Sequence, residues 1–467
     1  MDMWQLSKEE IRQVLDTALT GGGDFADLYM EYREITGVGC EEDRIENITT
    51  GVDQGAGIRV IDGDRSLYMQ TNDLTLNGLL EAAKEAAKAN GKERTMVAQE
   101  LKDAKPAFSE VKEDPKTVPI EEKTQVVLSA NKVAREYSEK VLQVTITYVD
   151  HRKKIMIANS EGTFSKEERT TTRFSINVVA KEKDIVQTGF ESRGGITGFE
   201  IVRENAEELA RLAAQRAVNM LSARPAPAGR MTVVMSSEAG GTMVHEACGH
   251  GLEADLIYHG MSVYAGKLGE KVASEKVTVI DDATIAGRYG YIAYDDEGTK
   301  AEKTVLIEKG VLKQYMSDLY YAKKLGLKPT GNGRRESYAY KPIPRMTNTY
   351  IASGEDDPEE IIRSTEKGLF VSRMGGGQVN TTNGDFVFDI AEGFLIENGK
   401  IGNLVRGATL VGNGPQVLKD IEMVGRDLGF SLGVCGKDGQ GVPVSDAQPT
   451  IKIKSLTVGG LIEEGDK

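Results

Sequence analysis

Between Ser222 and Arg230 the chain reads SARPAPAGR, with two prolines, a glycine and little to bury. Proline cannot continue a helix or a central strand, so this stretch is a break. It divides a chain of 467 residues, too long for one ordinary core, into residues 1–221 and 231–467, with 222–230 as the linker.

The two sides differ in period. Upstream, Ser7 and Glu10 form an S-x-x-E capping box before a first amphipathic helix ending near Gly21. Residues 25–70 alternate and turn at Asp62-Gly63, so they read as strands. Leu76 to Asn90 is alanine-rich and closed by Gly91. A charged surface connection containing Pro106 and Pro115 leads to a helix opened by Pro119. Strands follow over 141–191, then a helix from Glu200 to Leu221. Helices packed on antiparallel sheet make this an α+β pattern. Downstream, Met231 to Met235 is a short strand, and a helix carrying histidines comes next. The remainder is rich in glycine and short strands, with hairpin turns at Glu308-Lys309-Gly310 and Glu397-Asn398-Gly399-Lys400. Helices are expected near 317–325, 358–367 and 414–428. The expectation is a β-rich C-terminal domain with a curved or barrel-like sheet. No internal repeat stands out.

Composition narrows the function. With 39% hydrophobic and 28% charged residues the chain is that of a soluble globular protein. A net charge of −14 argues against nucleic acid as a partner, since phosphate binding needs a positive surface. Three cysteines, Cys40, Cys248 and Cys435, are not a disulfide framework. The start of the chain lacks a signal-peptide pattern, and there is no apolar run of about 18 residues. The expected place is the cytoplasm, away from membranes.

Two of the four histidines lie in His245-Glu246-Ala247-Cys248-Gly249-His250. This H-E-x-x-x-H is one residue longer than the familiar zinc-binding H-E-x-x-H. Residues five apart stand about 140° apart on a regular helix, too far to share a metal. An i→i+5 turn corrects this, and Gly249 and Gly251 ease it, so an irregular helix is expected over 245–251. The residue types suit a Zn2+ held by imidazoles, with Glu246 as general base. A catalytic zinc takes three protein ligands, and the residues alone leave the third open among Cys248, Glu253, Asp255, His259, Glu270, Glu275 and Cys435. Arg334, Arg335, Arg345 and Asn348 lie in polar segments suited to holding a substrate backbone or carboxylate, or to ordinary salt bridges. Asp295-Asp296-Glu297 reads as a solvated turn. Gly375-Gly376-Gly377 would let a peptide approach the backbone.

The string HEACGHGLEAD from His245 to Asp255 resembles the signature of the TldD/PmbA metallopeptidase family, in its TldD-type members. DDEGT at 295–299, GRRESY at 333–338, PRMTNT at 344–349 and the segment 433–443 are similar to further family segments, in order. The resemblance implies an N-terminal α/β domain and a C-terminal domain of curved sheet. It implies a zinc peptidase acting on peptides or unfolded segments, with His245 and His250 as metal ligands, Cys435 as the third and Glu246 as the catalytic glutamate. It also implies a dimer, either of this chain or with a TldE/PmbA-like subunit. The family is further described as modulating DNA gyrase, which suits an alternative role as a non-catalytic peptide-binding or regulatory subunit. A metal hydrolase with a non-peptide substrate is a third reading.

Overall fold

The computed structural model describes residues 6–88, 96–105, 107–108 and 111–460. The expected helix end at Asn90 and Gly91, and Pro106, lie outside the described residues.

Alternation in the first half produces one antiparallel sheet. Its long strands stand in the order Arg65–Thr71, Arg44–Asp62, Phe25–Glu41, Val141–Asn159, Thr163–Glu182, Ile185–Gly195. Four helices cover one face. Lys8–Ala18, capped reciprocally by Ser7 and Glu10, and Leu76–Lys88 bury Ile11, Leu15, Leu79 and Ala83 against Leu28, Met30, Ile58 and Val60. Ile120–Glu136 and Glu200–Leu221 bury Val127, Ala130, Ala213 and Ala217 against Val144, Ile146, Phe174 and Ile176. Each half therefore runs helix, three strands, helix, and the halves meet where Phe25–Glu41 pairs with Val141–Asn159. The sequence shows no repeat because a half-buried strand requires alternation, which many residues satisfy.

The opposite phase of these strands faces the second domain. Asp27, Tyr29 and Glu31 alternate with Leu28 and Met30 and are fully buried. Arg59 joins them, its Nε donating to Asp27 Oδ2 at 2.6 Å and its Nη2 to Glu297 Oε1 at 2.6 Å. The acidic run 295–297 is thus no solvated turn. Asp295 accepts from the N–H groups of Glu297, Thr299 and Gly333, Asp296 accepts from that of Arg335, and all three acids are buried. Charges that look exposed in sequence are held inside because arginine and backbone donors surround them.

Five strands of the second domain close a barrel. Gly229–Met235 pairs with Ile451–Gly459, which pairs with Thr409–Asn413, then Asp385–Glu397, then Lys367–Val379, which returns to Gly229–Met235. The segment 222–230 is not a free connection. Arg224–Pro225 already pairs with Val405–Arg406 as an edge strand, a position proline tolerates. A second sheet runs in the order Val311–Leu312, Lys303–Glu308, Val279–Asp282, Asn348–Ile351, Gln440–Gln448, Gly429–Lys437. Lys309-Gly310 and Asn398-Gly399 all have positive φ, as tight hairpin turns demand. Helices occupy Leu319–Leu325, Pro358–Arg363 and Gly414–Lys419. The last is shorter than its apolar spacing predicts, because Ile421–Val424 leaves the helix to pair with Ile451–Ile453.

Candidate metal centre

The histidine segment sits between barrel and second sheet. Thr242–Val244 begins as α-helix, His245–Gly249 is a π turn and His250–Leu252 a 3-10 turn. The His250 N–H donates to the His245 carbonyl, the i→i+5 bond that brings the two rings to one side. Their centroids are 4.9 Å apart and edge-to-face. Gly249 permits the turn, since a Cβ there would lie 2.3 Å from Met346 Sδ.

Cys435 comes from the edge strand Gly429–Lys437. One donor atom from each of His245, His250 and Cys435 lies within 4.8 Å of the others, with Cys435 Sγ 3.4 Å from His250 Nε2. His245 Nδ1 is 2.7 Å from Asp446 Oδ1, and His250 Nδ1 is 3.1 Å from Glu253 Oε2. Each carboxylate accepts a hydrogen bond from Nδ1–H, which leaves Nε2 to face a metal. Burial alone would raise the Cys435 thiol, but hydrogen bonds from both histidines bring it down to about 5. Burial opposes charge on His250, yet Glu253 and Cys435 push it up to about 9. The cluster thus favours a thiolate with positive charge beside it. Two oriented imidazoles and a thiolate fit zinc.

Lys437, two residues beyond Cys435, donates to Glu253 Oε2 at 3.0 Å, Asp255 Oδ1 at 2.8 Å and the Pro344 carbonyl at 3.1 Å. It ties the cysteine strand to the histidine helix. Burial raises the Glu253 carboxyl, but Lys437 and His250 hold it at about 2.

Glu246, half-buried, lines a cavity of about 1350 Å³ together with His245, His250 and Cys435. Burial raises its pKa against the lowering charges of the two histidines. The cavity lies between Ile185–Gly195 and Glu200–Leu221 of the first domain and the metal cluster of the second, and Gly375, Gly376 and Gly377 form part of its wall.

The four other expected site residues lie elsewhere. Arg334 donates to the Met346 and Pro443 carbonyls, Arg335 to the Asp296 carbonyl while stacking on Tyr29, and Arg345 to the Cys435 carbonyl. Asn348 bonds the Asp282 carbonyl and the Gly290 N–H. All four are buried, none lines this cavity, and their donors bond backbone carbonyls. Cys248 points at the Val244 carbonyl, and Glu253 orients a histidine. Asp446 and Lys437 went unnoticed in the sequence. The available signal was an acid closing the alternating run Val442, Val444, Asp446, and a lysine in phase with Cys435.

A helix-covered sheet thus packs beside a closed barrel, with a His–His–Cys cluster and a glutamate on one cavity wall. Models of the PmbA/TldA metallopeptidase match the chain in three parts: domain 1 at residues 26–89, the central domain at 113–221 and the C-terminal domain at 228–460. The chain is 35% identical to a Metalloprotease TldD homolog of Buchnera aphidicola, covering 98% of this chain and 97% of that one. It is 31% identical to a Zinc metalloprotease TldD homolog of Saccharolobus solfataricus, covering 94% and 98%. Its fold is similar to the crystal structure of TldE from Thermococcus kodakarensis, with a TM-score of 0.78 at 20% identity over 97% and 100% of the chains. The chain belongs to the PmbA/TldD metallopeptidase family. No helix among the described residues is long and apolar enough to cross a membrane.

Proposed function

We propose that this chain is a zinc-dependent peptidase that hydrolyses peptides or unfolded protein segments, with His245, His250 and Cys435 as the zinc ligands and Glu246 as general base. The observation that supports it most is the convergence of three donor atoms within 4.8 Å on the wall of a cavity that Glu246 also lines. A zinc ion held there supplies Lewis acidity towards a water and a substrate carbonyl. Glu246 takes the proton of the attacking water on its carboxylate and returns it to the departing amine. Its raised pKa suits it to hold that proton between the two steps. Asp446 and Glu253 keep each imidazole in one orientation. A cavity of about 1350 Å³ admits an extended segment and excludes a folded domain.

A dimer, of this chain or with a TldE/PmbA-like subunit, and a cytoplasmic setting complete the reading. The alternative of a non-catalytic subunit has less support, because peptide binding alone needs neither three metal donors nor a general base beside them.

Elemental analysis and cleavage of an unstructured peptide test the reading on wild-type, Cys435→Ser and Glu246→Gln protein. Near-stoichiometric zinc is expected in the wild type and in Glu246→Gln, lost in Cys435→Ser, with cleavage only in the wild type. Unaltered turnover in Glu246→Gln removes it from the mechanism. Absence of both zinc and cleavage, even with zinc and a TldE-like subunit added, points to the binding-subunit role.

A further inference from the structure

The charges lining the cavity do not all have partners. Arg216 pairs with Glu191 and Glu392, and Arg373 with Glu191 and Glu238. Asp446 is engaged by His245. Arg193 bonds only the neutral Asn205 side chain, and Arg288 lies over the Phe430 ring at 3.8 Å. Among the described residues no carboxylate lies within ion-pair distance of Arg193 or Arg288. Both residues are exposed, and the partial burial of the Arg288 guanidinium lowers its pKa with no acid acting to raise it. The same lining holds Glu191, Glu238, Glu246, Asp389 and Asp446, none of them within ion-pair distance of either arginine.

The backbone segments that carry the two arginines meet. Arg193 is two residues before Gly195, where a Cβ would meet the Gly287 carbonyl oxygen at 2.2 Å, and Arg288 follows Gly287. Arg173, paired opposite Gly194, stands on the other face of the strand from Arg193 and hydrogen-bonds Tyr289; its Nε is buried without a partner. The site is fixed relative to the metal cluster. The Tyr289 N–H donates to Ser445 Oγ at 3.0 Å, and Ser445 precedes the Asp446 that orients His245. Phe430 and Cys435 are five residues apart on one bulge-free strand, so their side chains leave opposite faces of it, and both line the cavity.

We propose that Arg288, with Arg193 on the same cavity lining as His245, His250 and Cys435, recognises a carboxylate on the substrate, either a free C-terminus or an acidic side chain. The stacking on Phe430 holds the guanidinium flat and leaves its edge free for both carboxylate oxygens. This rests on the peptidase reading and adds a substrate preference to it.

The test uses an unstructured ten-residue peptide in three forms: acid-free with a free C-terminus, acid-free with an amide, and amidated with a single Glu scanned along it. Affinity is read by fluorescence anisotropy on full-length Glu246→Gln protein, and KM and kcat on protein with Glu246 intact. Each is measured with and without Arg288→Gln and Arg193→Gln. The preference for carboxylate over amide, as a ratio of affinities, should fall about fivefold to tenfold in Arg288→Gln, fall with added salt, and recover in part in Arg288→Lys. The loss should fall on KM and spare kcat. The first and third peptides separate a C-terminal from a side-chain carboxylate. A ratio unmoved by Arg288→Gln overturns the proposal and leaves the peptidase reading intact. Failure of every peptide to bind overturns both.

Discussion

Removing the Lys437 ammonium should unfasten the metal site without touching a ligand. Its Nζ lies against Glu253 and Asp255, whose side chains are 0% and 8% exposed, and its own side chain is 10% exposed. Lys437→Met keeps the length of the stem and deletes the charge, leaving Asp255 without its cation and Glu253 with His250 alone. Breaking a buried ion pair from one side costs about 3–5 kcal/mol. Burial is the leading influence on Glu253, so without Lys437 its pKa rises from about 2. A less charged Glu253 is a weaker acceptor for His250 Nδ1, and loss of such a partner lowers metal affinity about 10–100-fold. Two measurements separate the effects: denaturant unfolding of the metal-free protein, and zinc affinity by chelator competition. Lys437→Arg, which keeps the charge, should recover part of both. If stability falls while zinc affinity is unmoved, the link from Lys437 through Glu253 to His250 is wrong; if neither changes, the buried charge cluster itself is wrong.

The domain contact and one buried histidine give two further expectations. Arg59→Met should destabilise the protein by about 3–5 kcal/mol in denaturant unfolding, because Asp27 and Glu297 remain buried without their arginine; a loss under about 1 kcal/mol would show that water replaces the guanidinium there. His151 has its pKa lowered to about 4 by burial and by Arg33 and Lys153. It stays neutral in the folded protein below its ordinary value near 6.5, while the unfolded chain takes up a proton. The stability this neutral state contributes is present above pH 6.5 and is lost as pH falls towards 4, by no more than about 3 kcal/mol and less where solvent reaches the ring. His151→Gln should flatten that part of the pH–stability curve; an unchanged slope assigns the acid sensitivity to other groups.

Much of this was legible in the residues themselves. A period of two over 25–70 and 141–191 requires strands, and Ser7 with Glu10 fixes a helix start, because these signals are local and depend on few neighbours. The π turn follows from counting alone: two histidines five positions apart cannot face one metal on a regular helix. The family signature drew attention to Cys435, which local spacing left level with several acids.

Tertiary structure decided what depends on the identity of the neighbours. Asp295, Asp296 and Glu297 look like a wet turn and are buried, because Arg59, Arg335 and backbone donors reach them from distant segments. Arg334, Arg345 and Asn348 carry the same donors whether they hold a substrate or a carbonyl of their own chain, and only folding shows that they hold carbonyls. Asp446 and Lys437 join the histidine cluster because the last two strands of the second sheet bring them across some 200 residues of chain to the two histidines. Sequence fixes the period of an element and the chemistry of a side chain. Burial and partnership, which set the pKa, the orientation and the role of that side chain, are properties of the packed whole.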